Sequence, residues 1–222
     1  MKQVNQHKRV NDILLGPLER PALHWLAANM PAWVTPDICT LIGLGGALVT
    51  LAGYALSNYS PVFLWLASLG FIINWFGDSL DGTLARYRRI ERPMYGYFVD
   101  HTMDAVSQFL IILGMGLTPY ISYNFASLAL IAYLMLSILV YLRTYIVGEF
   151  KISYGRLGPT ESRVVAILLN TAMYFLGFQS FMLGQYQISI YDLVVLAIAL
   201  VLFGFFINTA VREVRRLAAL GE

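Results

Sequence analysis

Carboxylates and small residues recur at fixed spacing in Asp78-Ser-Leu-Asp81-Gly82-Thr-Leu-Ala85-Arg86 and again in Gly96-Tyr-Phe-Val-Asp100-His-Thr-Met-Asp104. On a helix, residues at i, i+3, i+4 and i+7 share one face. Asp78, Asp81, Gly82 and Ala85 therefore form one stripe, and Gly96, Asp100 and Asp104 form a second. Two such stripes facing each other make an oxygen-rich cage. Hard cations such as Mg²⁺ take carboxylate oxygens together with waters and substrate phosphates. Gly82 and Ala85 leave room for a bulky substrate group to lie against the helix backbone. A single Asp near a helix end is ordinarily a solvated cap. Four in register beside apolar segments are costly without a partner and mark a functional site.

The elements that must hold these stripes are apolar. Hydrophobic residues make up 58% of the 222 and charged residues 13%, with a mean hydropathy of +0.64. A soluble domain of this size could not bury so much apolar surface. About 20 apolar residues cross a bilayer as a helix, and six stretches qualify: 35–56, 61–82, 96–117, 125–148, 162–183 and 189–211. The expected fold is an all-α integral membrane protein of six transmembrane helices with an N-terminal amphipathic juxtamembrane helix. Residues 1–34 form that juxtamembrane segment and 35–222 the membrane domain, with no room for a second, soluble domain. In the juxtamembrane segment Leu18, Ala22 and Trp25 share a face, and Glu19, Arg20 and His24 lie away from it, as suits a helix lying along the interface. The segment lacks the uninterrupted apolar core of a cleavable signal peptide.

Lys and Arg bias cytosolic connections. They cluster before the first span, between the second and third (Arg86, Arg88, Arg89, Arg92), around the fourth-to-fifth connection (Arg143, Lys151, Arg156, Arg163) and after the sixth. The remaining three connections contain none. Both termini and the aspartates are therefore expected in the cytosol, and the setting is expected to be a prokaryotic cell membrane. A net charge of only +2 gives no reason to expect nucleic acid as a partner.

The pattern D-x2-D-G-x2-A-R-x9-G-x3-D-x3-D resembles the signature of the CDP-alcohol phosphotransferases, membrane enzymes of phospholipid synthesis, and all eight signature positions are present. The resemblance implies transfer of a phosphatidyl-type group from a CDP-linked lipid to an alcohol, with release of CMP. It implies two Mg²⁺ or Mn²⁺ ions held by Asp78, Asp81, Asp100 and Asp104, with Asp104 also taking the proton of the attacking hydroxyl. Metal ligation and base action are partly competing roles for that one carboxylate. Asp81, Gly82, Ala85, Arg86 and Gly96 would accommodate the CDP moiety. Membrane lipids and a second copy in a homodimer are the implied partners.

The acceptor is open at this level. Arg143, Lys151, Arg156 and Arg163 suit an anionic acceptor such as inositol phosphate or glycerol phosphate, and equally serve as a topology signal. A neutral or amino alcohol (serine, ethanolamine, choline) is the alternative. A divalent-cation transporter is the alternative of another class, although Arg86, Arg88, Arg89 and Arg92 beside the acids would oppose cation entry. Cys39 is the only cysteine, and a small apolar role suits it. His7, His24 and His101 lack zinc-ligand spacing, and His101 is rotated off the aspartate stripe. Gly43, Gly45 and Gly46 sit inside an apolar span, where helix packing is the expected use.

Overall fold

The computed structural model describes residues 8–10, 14–147, 149–151 and 158–220. The described residues form seven helices and two small strand pairs: β1 (Lys8–Val10), α1 (Gly16–Asn29), α2 (Pro36–Leu56), α3 (Phe63–Arg88), α4 (Pro93–Met115), α5 (Tyr123–Val147), β2 (Glu149–Lys151), α6 (Pro159–Leu176), β3 (Ser180–Leu183), β4 (Tyr186–Ser189) and α7 (Ile190–Ala219). β1 runs parallel to β2, and β3 pairs antiparallel with β4. Among the described residues α2, α3, α5 and α7 are long and apolar enough to cross a membrane. The chain is thus an integral membrane protein with a helical body. α4 and α6 occupy the places of the other two expected spans, but their acidic and basic residues make them less apolar.

The helix starts follow local chemistry. Thr35 caps α2 by accepting from the Ile38 amide at 3.3 Å, with Pro36 in the first turn, as a cap followed by proline favours. α2 and α3 then cross with their backbones nearly touching. A Cβ added to Gly46 would strike the Asn74 backbone, one on Gly77 the backbones of Gly43 and Cys39, and one on Gly53 the backbone of Ala67. Gly43 and Gly46 therefore serve packing as expected, whereas Gly45 faces open space. Because α2 lies so close, its first turns reach the face of α3 that carries the aspartates.

Two apolar clusters hold the bundle. The larger joins α2 to α7 around Tyr54, Leu64, Phe71, Ile111, Met173 and Val195. The smaller joins α1, α2 and α3 through Leu23, Ala27, Cys39, Leu80 and Leu84. A buried polar chain crosses the larger: the Tyr54 hydroxyl donates to Asn170 Oδ1 at 2.9 Å, and Asn170 Nδ2 donates to Ser68 Oγ at 3.1 Å. Each buried polar atom in that chain thus has a partner, which low-dielectric surroundings demand.

Two differences from the sequence expectations matter. In α1, Leu18 and Trp25 are exposed and Glu19 lies away from them, but that other side packs inward, where Leu23 and Ala27 form the buried face. α6 ends at Leu176 rather than continuing to 183. Gly177 takes φ +68°, and the chain enters the β3–β4 hairpin. Glycine adopts that left-handed backbone at little cost, and alternation of Ser and Gln with apolar residues beyond it suits strands better than a helix.

Candidate active site

The C-terminal half of α3 and the N-terminal half of α4 face one cavity of about 930 Å³. Asp78, Asp81, Asp100 and Asp104 all line it, together with Gly82, Ala85, Arg86 and Gly96. The two stripes read from the sequence are thus brought face to face. A Cβ on Gly96 would meet no protein atom, and one on Gly82 would meet only the mobile end of Arg86 at 3.2 Å. The small residues leave space in the cavity rather than relieving a clash in the fold.

Each carboxylate has its own neighbours. Asp81 accepts from Thr40 Oγ1 of α2 at 2.8 Å through Oδ2 and from the Gly82 amide through Oδ1. Asp78 accepts from Arg163 Nη2 of α6 at 2.5 Å. The same guanidinium donates through Nε to Asn74 Oδ1 at 2.9 Å, and Asn74 Nδ2 donates to the Gly43 carbonyl at 2.9 Å. Asn74 and Asp78, one turn apart on α3, therefore engage one edge of the planar guanidinium. Arg163 is only 6% exposed and lines the cavity, and its Nη1 has no hydrogen-bond partner among the described residues. A buried guanidinium offers fixed donors to a planar or tetrahedral anion.

His101 belongs to the cluster despite its rotation off the stripe. Its Nδ1 lies 3.8 Å from Asp100 Oδ2 and 3.9 Å from Asp104 Oδ2, and its ring packs edge-on to Tyr97 at 4.2 Å. One ligand atom from each of Asp100, His101 and Asp104 lies within 4.8 Å of the others. Two carboxylates and one imidazole at this spacing could hold a divalent metal ion.

Of the proposed acceptor cations, Arg143 and Arg163 stand apart. Arg163 reaches the aspartates, but Arg143 donates through Nε to Glu213 of α7 at 2.6 Å and is not on the cavity wall. Lys151 falls in β2, and Arg156 lies outside the described residues. Three neighbours of the site escaped the sequence reading. Thr40 and Asn74 look like ordinary polar residues in apolar spans, although Asn74 stands one turn before Asp78 on the same face. Glu19 of α1 lies away from Leu18 and Trp25, as its spacing gives, but the side it occupies packs against the bundle instead of facing water. Its Oε1 accepts from Trp75 Nε1 at 2.8 Å, Ser79 Oγ at 3.0 Å and Thr160 Oγ1 at 3.0 Å, which ties α1 to α3 and α6 at the cavity wall. At the mouth, Arg92 donates to both Asp37 oxygens, at 2.5 and 2.7 Å, and stacks on Tyr95 at 4.0 Å. The Asp37 hydrogen bond raises the Arg92 guanidinium further above its ordinary range.

Comparison with known proteins places the chain among relatives of one family. The chain is 27% identical to cholinephosphotransferase 1 of Gallus gallus over 188 residues, 80% of this chain and 55% of that protein. The Danio rerio cholinephosphotransferase 1 is 26% identical over 191 residues, 80% and 48% of the two chains. The archaetidylinositol phosphate synthase of Methanothermobacter thermautotrophicus is 39% identical over 79 residues, 36% of this chain and 37% of that one. The chain thus spans about half the length, or less, of the curated relatives it matches. The CDP-alcohol phosphatidyltransferase family model covers residues 33–205, including every position of the aspartate signature and the arginine that binds Asp78, and the chain belongs to that family.

Proposed function

We propose that this chain transfers a phosphatidyl-type group from a CDP-linked lipid to an alcohol, releasing CMP. The single observation that carries the reading is the convergence of the four signature aspartates of α3 and α4 on one cavity. The acceptor hydroxyl oxygen attacks the lipid-bearing phosphorus, a new P–O bond forms, and the bond to the CMP phosphate breaks. Asp104 takes the hydroxyl proton, and CMP leaves with the bonding electron pair. Two Mg²⁺ or Mn²⁺ ions held by Asp78, Asp81, Asp100 and Asp104, with His101 as a nitrogen donor beside them, would neutralise the pyrophosphate and stabilise the leaving phosphate. Gly82, Ala85 and Gly96 leave the nucleotide room, and Arg86 stands where it can hold its phosphates. CMP release from CDP-lipid in the presence of Mg²⁺ and a panel of alcohols tests the reading, and full activity after exhaustive chelation would overturn its metal requirement.

For the acceptor we favour a phosphorylated polyol, on narrower grounds than the sequence suggested. Arg163 stands beside the aspartates, and its buried Nη1 suits a phosphate oxygen. The archaetidylinositol phosphate synthase relative is consistent with it. A second reading rests on the cholinephosphotransferases, which match most of this chain: the group carried on CDP would then be choline phosphate or a similar alcohol phosphate. Comparing CMP release from a CDP-lipid and from CDP-choline separates the two. Family membership sets the cation-transporter reading aside. Six membrane crossings with α1 on the surface, division at residues 34 and 35, cytosolic placement of site and termini, a prokaryotic membrane and a homodimer complete the proposal. The Lys and Arg distribution supports the orientation.

A further inference from the structure

At the end of the bundle opposite the candidate site, α6 is too short for the bilayer. Between Arg163 and its last residue, Leu176, the helix rises only about 20 Å at 1.5 Å per residue, against a hydrocarbon thickness of about 30 Å. No Asp, Glu, Lys, Arg or His lies between Arg163 and Asp192, so the uncharged stretch continues through the β3–β4 hairpin. That hairpin has two different faces. The register pairs Phe181 with Ile188 and Leu183 with Tyr186 on one face, and Ser180 with Ser189 and Met182 with Gln187 on the other, because side chains alternate along a strand. The first face is apolar apart from the Tyr186 hydroxyl. Phe181, Leu183 and Tyr186 remain 41%, 63% and 69% exposed, and Phe175 and Leu176 in the last turn of α6 are exposed as well. On the second face Gln187 Nε2 donates to Ser180 Oγ at 2.8 Å.

The hairpin is held firmly at its base. The Ile190 amide donates to the Gln179 carbonyl at 3.0 Å, and the Tyr191 hydroxyl donates to the Gly177 carbonyl at 2.8 Å. Asp192 accepts from the Ser189 amide at 3.0 Å and from the Ser122 amide at 2.7 Å. The apolar face is therefore presented by a fastened element. We propose that the β3–β4 hairpin is an interfacial membrane anchor that completes the short α6 path, laying Phe181, Leu183, Tyr186 and Ile188 on the acyl chains of the leaflet opposite the candidate site. A two-stranded hairpin has unpaired backbone groups along its outer edges, which hydrocarbon would not tolerate. This depth requirement puts it at the water boundary, where an aromatic such as Tyr186 with a polar tip is well suited.

The test uses the full chain reconstituted in phosphatidylcholine vesicles, with an environment-sensitive fluorophore on Leu183→Cys or Gln187→Cys and lipids carrying a quencher at a shallow or a deep acyl position. The expected result is several-fold stronger shallow quenching at Leu183 than at Gln187, with weaker deep quenching at both. Tyr186→Trp, read against the parent protein by brominated-lipid quenching, gives the same answer should the labelled variants fail to fold. Equal, water-like quenching at both positions would overturn the proposal. So would copy-to-copy disulfide crosslinking of Leu183→Cys without lipid quenching, since the face would then be covered by a second copy of the chain.

Discussion

At the scale of single residues, the structure changes which substitution tests the proposed metal site cleanly. Asp78 is the partner of a buried guanidinium, and removing one member of a buried ion pair costs on the order of 3–5 kcal/mol, somewhat less for Asn, which keeps an oxygen. Asp78→Asn will therefore lower stability as well as activity. Asp100→Asn leaves the Arg163–Asp78 pair in place: CMP release is expected to fall by orders of magnitude, with a smaller drop in the thermal midpoint in detergent than Asp78→Asn gives. Thr40 donates to Asp81, a proposed metal ligand, and losing a hydrogen-bond partner of a metal ligand typically weakens metal binding about 10–100-fold. Thr40→Val should show that loss in Mn²⁺ titrations followed by electron paramagnetic resonance, and Thr40→Ser should not. For Arg163, alanine would strand both Asn74 and Asp78, so its effect would not be confined to the acceptor. Arg163→Lys keeps the charge and loses the fork. If the acceptor is phosphorylated, its apparent KM should rise roughly 10- to 100-fold, as expected for losing a charge-assisted hydrogen bond of about 1.5–3 kcal/mol. An unchanged KM in that variant would remove Arg163 from acceptor binding.

At the scale of elements, helix ends carry much of the tertiary specification. Asp192 is almost fully buried and serves two helices: its carboxylate accepts from the Ser189 amide in a capping box of α7, and from the amide and hydroxyl of Ser122 just ahead of α5. Losing a cap costs about 0.5–2 kcal/mol, and leaving buried donors unpaired adds about 1–3 kcal/mol. Asp192→Ala should therefore lower the thermal midpoint measurably, with Mg²⁺ dependence of CMP release unchanged, because this end of the bundle lies away from the aspartates. Arg88 fastens the opposite end. Its guanidinium donates to the Val34, Met30 and Pro31 carbonyls at 2.6, 2.9 and 2.8 Å, so the turn after α1 is bound to the end of α3. With Glu19 tied to α3 and α6, the helix α1 forms a fixed part of the cavity wall. Periodicity located α2, α4 and α5 closely because apolar patterning and caps are local, but it ended α3 and α7 short, since both helices run on past their apolar stretches to Arg88 and Ala219. It overextended α6, since an uncharged stretch reads alike as helix or as hairpin until Gly177 turns the chain.

At the scale of the whole molecule, the proposed orientation has a direct check. Cysteines introduced at Asn58 and Gln185 should react with impermeant thiol reagents from outside the cell, and one at Arg89 should react only after the membrane is opened. The reverse pattern would place the site on the other side. The amino-acid sequence by itself determined the membrane class, most helix positions, the two carboxylate stripes and the family signature, because each of these depends on composition or on a repeat of a few residues. Only the tertiary structure decided that Arg163 meets Asp78 across 85 positions of chain and Arg143 meets Glu213 across 70. It likewise decided that Glu19 faces inward, that Thr40 holds Asp81 and that His101 joins Asp100 and Asp104. Those pairings depend on the close α2–α3 crossing and on how α6 and α7 are fastened, and the energies of such long-range contacts leave no periodic mark in the chain.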